Sequence, residues 1–147
     1  MQYITDKRVD WMYNVRETLS NYISVVILIA DEYKLNKNKV PSEFYREINC
    51  CTAKLKLLFN FDGELDNKII NLIDDLNNII SNTEFSPRVF WDKVKKLTKY
   101  SQVYLKLEWE RVKLETENNL DKMSIKKTLI QKEKDLLKSY EMRYENT

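Results

Sequence analysis

An uninterrupted helical pattern runs from Ser86 to Glu117 and limits the folds open to this chain. Ser86 can cap the free N–H groups at a helix start, and Pro87 suits the first helical position because no hydrogen-bond donor is needed there. No glycine or proline follows before Glu117. Apolar residues recur at helical spacing at Phe90, Val94, Leu97, Tyr104 or Leu105, and Val112. The stretch therefore predicts one long amphipathic helix against which other segments pack.

The scarcity of turn residues extends this prediction to the whole chain. One glycine and two prolines in 147 residues leave little material for hairpins, so strands are disfavoured. A charged fraction of 33% beside 43% apolar residues suits amphipathic helices and not a disordered chain. We expect an all-α protein.

Four further helices are predicted, over residues 5–34, 41–60, 64–81 and 124–143. Thr5 and Ser124 are candidate N-caps, and Asp62-Gly63 is the clearest turn signal. In the first helix, steps of three and four residues predict a buried row. Its members are Val9, Met12, Arg16, Leu19, Ile23, Val26, Ala30 and Tyr33, with a second row at Trp11, Val15, Tyr22, Val25 and Ile29.

Short connections between helices favour antiparallel neighbours. The sequence therefore predicts an antiparallel up-down-up-down four-helix bundle over residues 1–117, with a long fourth helix. Residues 118–147 form a C-terminal helical extension beyond it. This extension is interpreted as a coiled-coil arm, a hairpin cover or an exposed tail.

Two charged residues fall on predicted apolar rows at similar levels. At about 1.5 Å per residue, Arg16 lies about 27 Å from Lys34 and Glu108 about 32 Å from Pro87. We expect Arg16 and Glu108 to form a largely buried structural ion pair, with Glu110 as the rival partner of Arg16.

Residues suited to catalysis or to ligand binding are few. The chain has no histidine, which removes the commonest proton-transfer side chain and zinc ligand. The adjacent Cys50 and Cys51 cannot pair without distorting a helix, and one glycine cannot build a phosphate-binding loop. We therefore predict no catalytic residues, no metal site and no cofactor, and we expect that the protein is not an enzyme.

Two surfaces are candidates for binding. Basic residues among Trp91, Tyr100 and Tyr104 predict a possible nucleic-acid face, for which a solvated face is the alternative. Its lysines are Lys93, Lys95, Lys96 and Lys99. The second surface is a protein interface, if its aromatic and apolar residues are exposed and not packed. Its residues are Trp11, Trp109, Met123, Ile130, Leu137 and Tyr140.

The charge and apolar content also bear on location. The net charge is +2, so no strong overall field attracts nucleic acid or acidic lipid. Residues 1–10 lack the apolar run of a signal peptide, and the longest apolar run, Val25–Ala30, is far shorter than a membrane-spanning helix. We expect a soluble, cytoplasmic protein without membrane insertion.

Two segments carry a resemblance to a family. The segment ITDKRVDWMYNVRETLSNY (Ile4–Tyr22) contains an ITxxRxxWxxxxR motif, and YLKLEWERVKLE (Tyr104–Glu115) contains LKxEWERVKxE. The chain resembles small, uncharacterised helical proteins of bacteria and their mobile elements, in many of which a membrane-spanning helix precedes the first motif. The resemblance implies a helical bundle and picks out Arg8, Trp11, Arg16, Glu108, Trp109, Arg111 and Lys113. It implies no activity, and the membrane anchor is absent from this sequence.

Together these features predict a non-enzymatic helical module for protein–protein interaction. It would serve as an accessory subunit, a scaffold or an inhibitor of a host protein encoded by a phage or mobile element. A protein partner, or a second copy bound through the C-terminal arm, is expected. The alternative is nucleic-acid binding through the lysine-rich face of the fourth helix.

Overall fold

A computed structural model describes residues 2–36, 39–82, 85–117 and 121–145 of the chain. In these ranges every regular element is an α-helix, which confirms the predicted all-α class. The helices are α1 (Gln2–Asn36), α2 (Ser42–Leu58), α3 (Glu64–Ser81), α4 (Pro87–Glu117) and α5 (Lys122–Glu145).

The helix ends follow local chemistry. Helices α3 and α4 have the predicted bounds, with Gly63 as the residue before α3 and Pro87 as the first residue of α4. Helix α1 already begins at Gln2, so Thr5 lies inside the helix and does not cap it. At α5 the side chain of Asp121 caps the helix, because its Oδ1 accepts the N–H of Ser124 at 2.7 Å. The candidate cap at Ser124 is therefore wrong by one turn.

The chain divides into two compact units. The central unit is Asn14–Tyr100, and the terminal unit combines Met1–Tyr13 with Ser101–Thr147. The predicted division into residues 1–117 and 118–147, and the up-down-up-down topology, stay predictions.

The central unit has an apolar core to which four helices contribute. Large aliphatic side chains dominate it, as close packing of amphipathic helices requires. From α1 the buried residues are Val15, Leu19, Tyr22, Val26, Ile29 and Ala30. From α2 and the residue after it they are Ile48, Cys51, Leu55 and Phe59, from α3 Leu65, Ile69, Leu72, Ile73, Leu76 and Ile80, and from α4 Phe90, Val94 and Leu97.

A polar chain crosses this core and links three of its helices. The hydroxyl of Tyr22 lies 2.7 Å from Oδ1 of Asn77 and 3.1 Å from the carbonyl oxygen of Ile73. The amide group of Asn77 donates from Nδ2 to the hydroxyl oxygen of Thr52 at 3.0 Å. Because a buried polar group without a partner is costly, this chain fixes α1, α2 and α3 in one register.

The buried side of α1 differs from the predicted rows. Val15, Tyr22 and Ile29, which were assigned to the second row, are fully buried, whereas Val9 and Arg16 are exposed. The centre of the apolar face is therefore turned by about one residue from the predicted position. Arg16 lies beside this face and not on it.

In the terminal unit α5 has a buried side and is joined to α4 by an ion pair. Ile125, Leu129 and Tyr140 of α5 are buried, and Nζ of Lys132 lies 2.7 Å from Oε2 of Glu110 on α4. The three interpretations of the C-terminal extension stay predictions.

Candidate interaction surface

The two tryptophans of the predicted interface occupy different environments. Trp11 is half-buried and packs edge-on against Tyr104, with 6.1 Å between ring centroids. Trp109 is 47% exposed. Since Tyr104 covers part of the Trp11 ring, Trp109 is the better placed of the two to meet a partner.

The residues predicted to form an interface on α5 differ in solvent exposure. Met123 and Ile130 are 71% and 43% exposed, Leu137 is half-buried, and Tyr140 is only 6% exposed. Met123, Ile130 and Leu137 share a face because seven residues make about two turns. Tyr140 lies beside this face, on the buried side of the helix, and belongs to the core of the terminal unit, so it is not available to a partner in this structure.

Lysines flank the apolar residues on the exposed side of α5. Lys127, Lys134 and Lys138 are exposed, and within the described residues none of them has an acidic partner. Met123, Ile130 and Leu137 together with these three lysines are called the basic face of α5. The combination of unpaired cations with exposed apolar side chains is typical of an amphipathic binding helix.

An acidic face on α1 was missed at the sequence level. Asp6, Val9, Asp10 and Tyr13 are all exposed, the last of them by 62%. Neither aspartate has a basic partner in the part of the chain that the structure describes. Their spacing of three and four residues places them on one face of the helix, but the apolar pattern predicted that Val9 belongs to the core. These four residues are called the acidic face of α1.

The carboxylate of Glu108 is paired with Arg8 and not with Arg16. Oε2 of Glu108 lies 3.4 Å from Nη1 of Arg8 and 3.6 Å from Nε of Arg111. Nη2 of Arg8 is also 3.3 Å from Oε1 of Glu115. The predicted pair required a largely buried Arg16, and this side chain is exposed. Arg8 takes its place because Arg16 lies outside the buried face of α1.

Glu110 is also engaged, by two lysines of the same unit. Its carboxylate oxygens lie 2.7 Å from Nζ of Lys132 and 3.3 Å from Nζ of Lys113. The hydrogen bond from Lys132 is the main cause that lowers the pKa of Glu110 below its usual value. Glu110 therefore links α4 to α5 and is not the rival partner of Arg16 that the sequence suggested.

The four lysines of the candidate nucleic-acid face differ in availability. Nζ of Lys93 lies 2.8 Å from Asp75, and Nζ of Lys96 lies 3.2 Å from Asp92. Lys95 is exposed and Lys99 is half-buried. Two of the four charges are thus neutralised locally, which weakens attraction to a phosphate backbone. Nucleic-acid binding stays a prediction.

The aromatic residues near these lysines are not open stacking platforms. Trp91 is half-buried, its ring meets Phe90 edge-on at 5.2 Å, and Nζ of Lys34 lies 5.8 Å from its centroid. Tyr104 is buried. Base stacking needs an exposed ring face, so these positions favour a structural role.

The cysteines show one buried and one exposed thiol. Cys51 is buried and Cys50 is exposed, and neither forms a disulfide. Burial, with the neighbouring Glu47 carboxylate, raises the pKa of Cys51 to about 11. A protonated thiol is a poor nucleophile, so Cys51 acts as a small apolar core residue.

No helix in the described ranges has an apolar stretch long enough to cross a bilayer. Across the same residues no three acidic or cysteine side chains cluster in a way that could hold a metal ion. The chain matches no protein-family model, no curated protein and no solved structure.

Proposed function

We propose that this protein is a non-enzymatic helical module that binds another protein through the hairpin of α4 and α5. One observation carries the proposal: exposed Met123 and Ile130 lie on a helix that is anchored to α4 through Lys132 and Glu110. A rigid helix with exposed apolar side chains and a charged rim suits protein recognition, because little order has to be gained on binding.

The proposal includes an architecture for the module. The first four helices form an antiparallel up-down-up-down bundle, with α4 as its long member and residues 118–147 as its extension. Short connections such as the five residues from Phe59 to Gly63 between α2 and α3 support this topology.

The biological setting is part of the same proposal. The module works in the cytoplasm as an accessory subunit, a scaffold or a phage-encoded or mobile-element-encoded inhibitor of a host protein. Two unpaired thiols, one of them exposed, support a reducing compartment.

Capture of binding partners from the source cell tests the function. The bait is the full chain, compared with a Met123→Ser/Ile130→Ser variant. The matched control is Leu35→Ser/Leu57→Ser, which removes two exposed leucines of the central unit. We expect specific partners that the α5 variant loses and the control retains. Partners retained by the α5 variant would refute the role of the hairpin, and an absence of specific partners would refute the function.

Nucleic-acid binding is the weaker alternative, and Lys95 is the exposed cation in its favour. A labelled single strand at low salt measures it directly, because such binding weakens steeply as salt rises. Binding that Lys95→Glu abolishes would favour the alternative over the proposed function.

A further inference from the structure

We propose that two copies of this chain associate by pairing the acidic face of α1 in one copy with the basic face of α5 in the other. The inference rests on the proposed interaction function and names a partner for its surface: a second copy of the same protein. Both faces belong to the terminal unit, and both are exposed in the single chain.

The first argument is the state of the charges. Asp6 and Asp10 on α1 have no basic partner in the described chain, and Lys134 and Lys138 on α5 have no acidic one. By contrast, Arg8 and Glu108 of the same unit pair with each other. Each face therefore carries the charge that the other lacks, and apposition of the two faces is electrostatically complementary.

The second argument is spacing. Asp6 and Asp10 are four residues apart, as are Lys134 and Lys138. In an antiparallel pair of helices, Asp6 then lies opposite Lys138 and Asp10 opposite Lys134. One turn further along, Tyr13 of α1 reaches the level of Ile130 of α5. Both side chains are exposed, so the same register also brings the apolar members of the two faces together.

The third argument distinguishes a second copy from other ligands. Anionic lipid and nucleic acid would attract the lysines of α5, but neither would attract the aspartates of α1. A second copy satisfies both sets. The seven-residue spacing of Met123, Ile130 and Leu137 is also the spacing of helix–helix contacts.

Pairing between identical copies is reciprocal. If α1 of one copy meets α5 of its partner, a two-fold axis places α5 of the first copy on α1 of the partner. The complete dimer then contains two helix pairs. Reversing the charge of one face therefore affects both pairs at once.

Sedimentation velocity on the full chain, at low and high salt and over a range of concentrations, tests the proposal. One variant is Lys134→Glu/Lys138→Glu and the other is Asp6→Lys/Asp10→Lys. The control, Lys95→Glu/Lys106→Glu, makes the same net charge change as Lys134→Glu/Lys138→Glu, but on exposed lysines of α4. We expect a dimer that weakens as salt rises, and a dissociation constant raised by about tenfold or more in each variant and little in the control.

An equimolar mixture of the two variants is the decisive measurement. Each variant repels itself, whereas in the mixed dimer one helix pair has the native charges and the other has both charges exchanged. We expect the mixture to recover the dimer that each variant loses. Circular dichroism first checks that each variant keeps the native helical content, and recovery in the mixture then excludes misfolding as the cause.

Three results would overturn the inference. They are a native chain that is monomeric at every concentration, a mixture that remains monomeric, and association that the control disrupts as strongly. Flotation with anionic phosphatidylserine vesicles and titration with labelled single-stranded DNA are run in parallel. Binding to either that needs Lys134 and Lys138, without self-association, would assign the face to that ligand instead. A monomer that still captures another protein through Met123 and Ile130 would end this inference and leave the proposed function standing.

Discussion

Tyr22 offers the sharpest test of how the central unit is held together. Its ring is fully buried, and its hydroxyl group lies 2.7 Å from Oδ1 of Asn77. Tyr22→Phe removes only the hydroxyl oxygen, so the ring continues to fill the core. The change leaves Oδ1 of the half-buried Asn77 without its donor from Tyr22.

The expected cost follows from that stranded acceptor. Leaving a buried acceptor unsatisfied costs about 1–3 kcal/mol, more than the net value of an ordinary hydrogen bond. In an Asn77→Leu background the acceptor no longer exists, so Tyr22→Phe should then cost about 1 kcal/mol or less. The difference predicts a coupling energy of about 1–2 kcal/mol between Tyr22 and Asn77.

Urea denaturation followed by circular dichroism measures the four free energies of unfolding in this cycle. For a chain of this size we expect Tyr22→Phe to lower the midpoint by about 1 M. The control is Tyr13→Phe, because Tyr13 is exposed and its hydroxyl forms no hydrogen bond with the residues that the structure describes. Its free energy of unfolding should change by less than about 0.5 kcal/mol.

Two results would refute the reasoning. A Tyr22→Phe variant as stable as the control would mean that the hydroxyl is not a needed donor. A coupling energy near zero would mean that any loss does not pass through Asn77. A changed slope of free energy against urea would point to a different unfolded state.

Three further predictions concern the loop before α3, the Glu108 pair and alkaline pH. Gly63→Ala should lower the free energy of unfolding by about 1–3 kcal/mol, because the new Cβ would displace Asp66. The carboxylate of Asp66 accepts the N–H of Asn60 at 2.8 Å, and this hydrogen bond would be lost. An unchanged midpoint of urea denaturation would contradict the prediction. Arg8→Met should cost about 1–2 kcal/mol by removing one of the cations paired with the Glu108 carboxylate, and adding Glu108→Gln should restore part of that loss. Strictly additive losses in thermal unfolding would show that the two residues do not interact. The pKa of Cys51 is raised to about 11, so the thiol stays protonated to a higher pH in the folded chain than in the unfolded chain. Its contribution to the free energy of unfolding is therefore complete below about pH 9. It is lost as pH rises toward 11, by at most about 1.4 kcal/mol per pH unit. Stability measured from pH 8 to 11 should fall less steeply in Cys51→Ala, and parallel curves would disprove that contribution.

The helices themselves could be predicted because their signals are local. The bounds of α3 and α4 follow from Gly63, Pro87 and the absence of breakers inside each helix. At α1 the apolar pattern is so continuous that two neighbouring rows were possible. The sequence assigned Val9 and Arg16 to the buried row, whereas the packed helix buries Val15 and Tyr22. The predicted and the observed buried faces of α1 differ by a rotation of about one residue, and packing against neighbouring helices determines which face is buried.

The candidate surfaces show the same limit more clearly. The sequence singled out Met123, Ile130 and Trp109, and these are exposed. It also singled out Tyr140, which is buried, because from sequence alone an apolar stripe cannot be divided into a packed side and a free side. The acidic face of α1 was missed for the same reason.

The sequence by itself determined that this is an all-α chain and where α3 and α4 begin and end, because backbone geometry depends on residues within one or two turns. The tertiary structure alone decided which arginine meets Glu108, which side of α5 is buried and which charges stay unpaired. These depend on the rotation and axial level of one helix against another. Apolar residues recur every three or four positions along a helix, so the sequence alone allows several rotations and axial levels of one helix against another. Contacts between residues distant in sequence determine which of them forms.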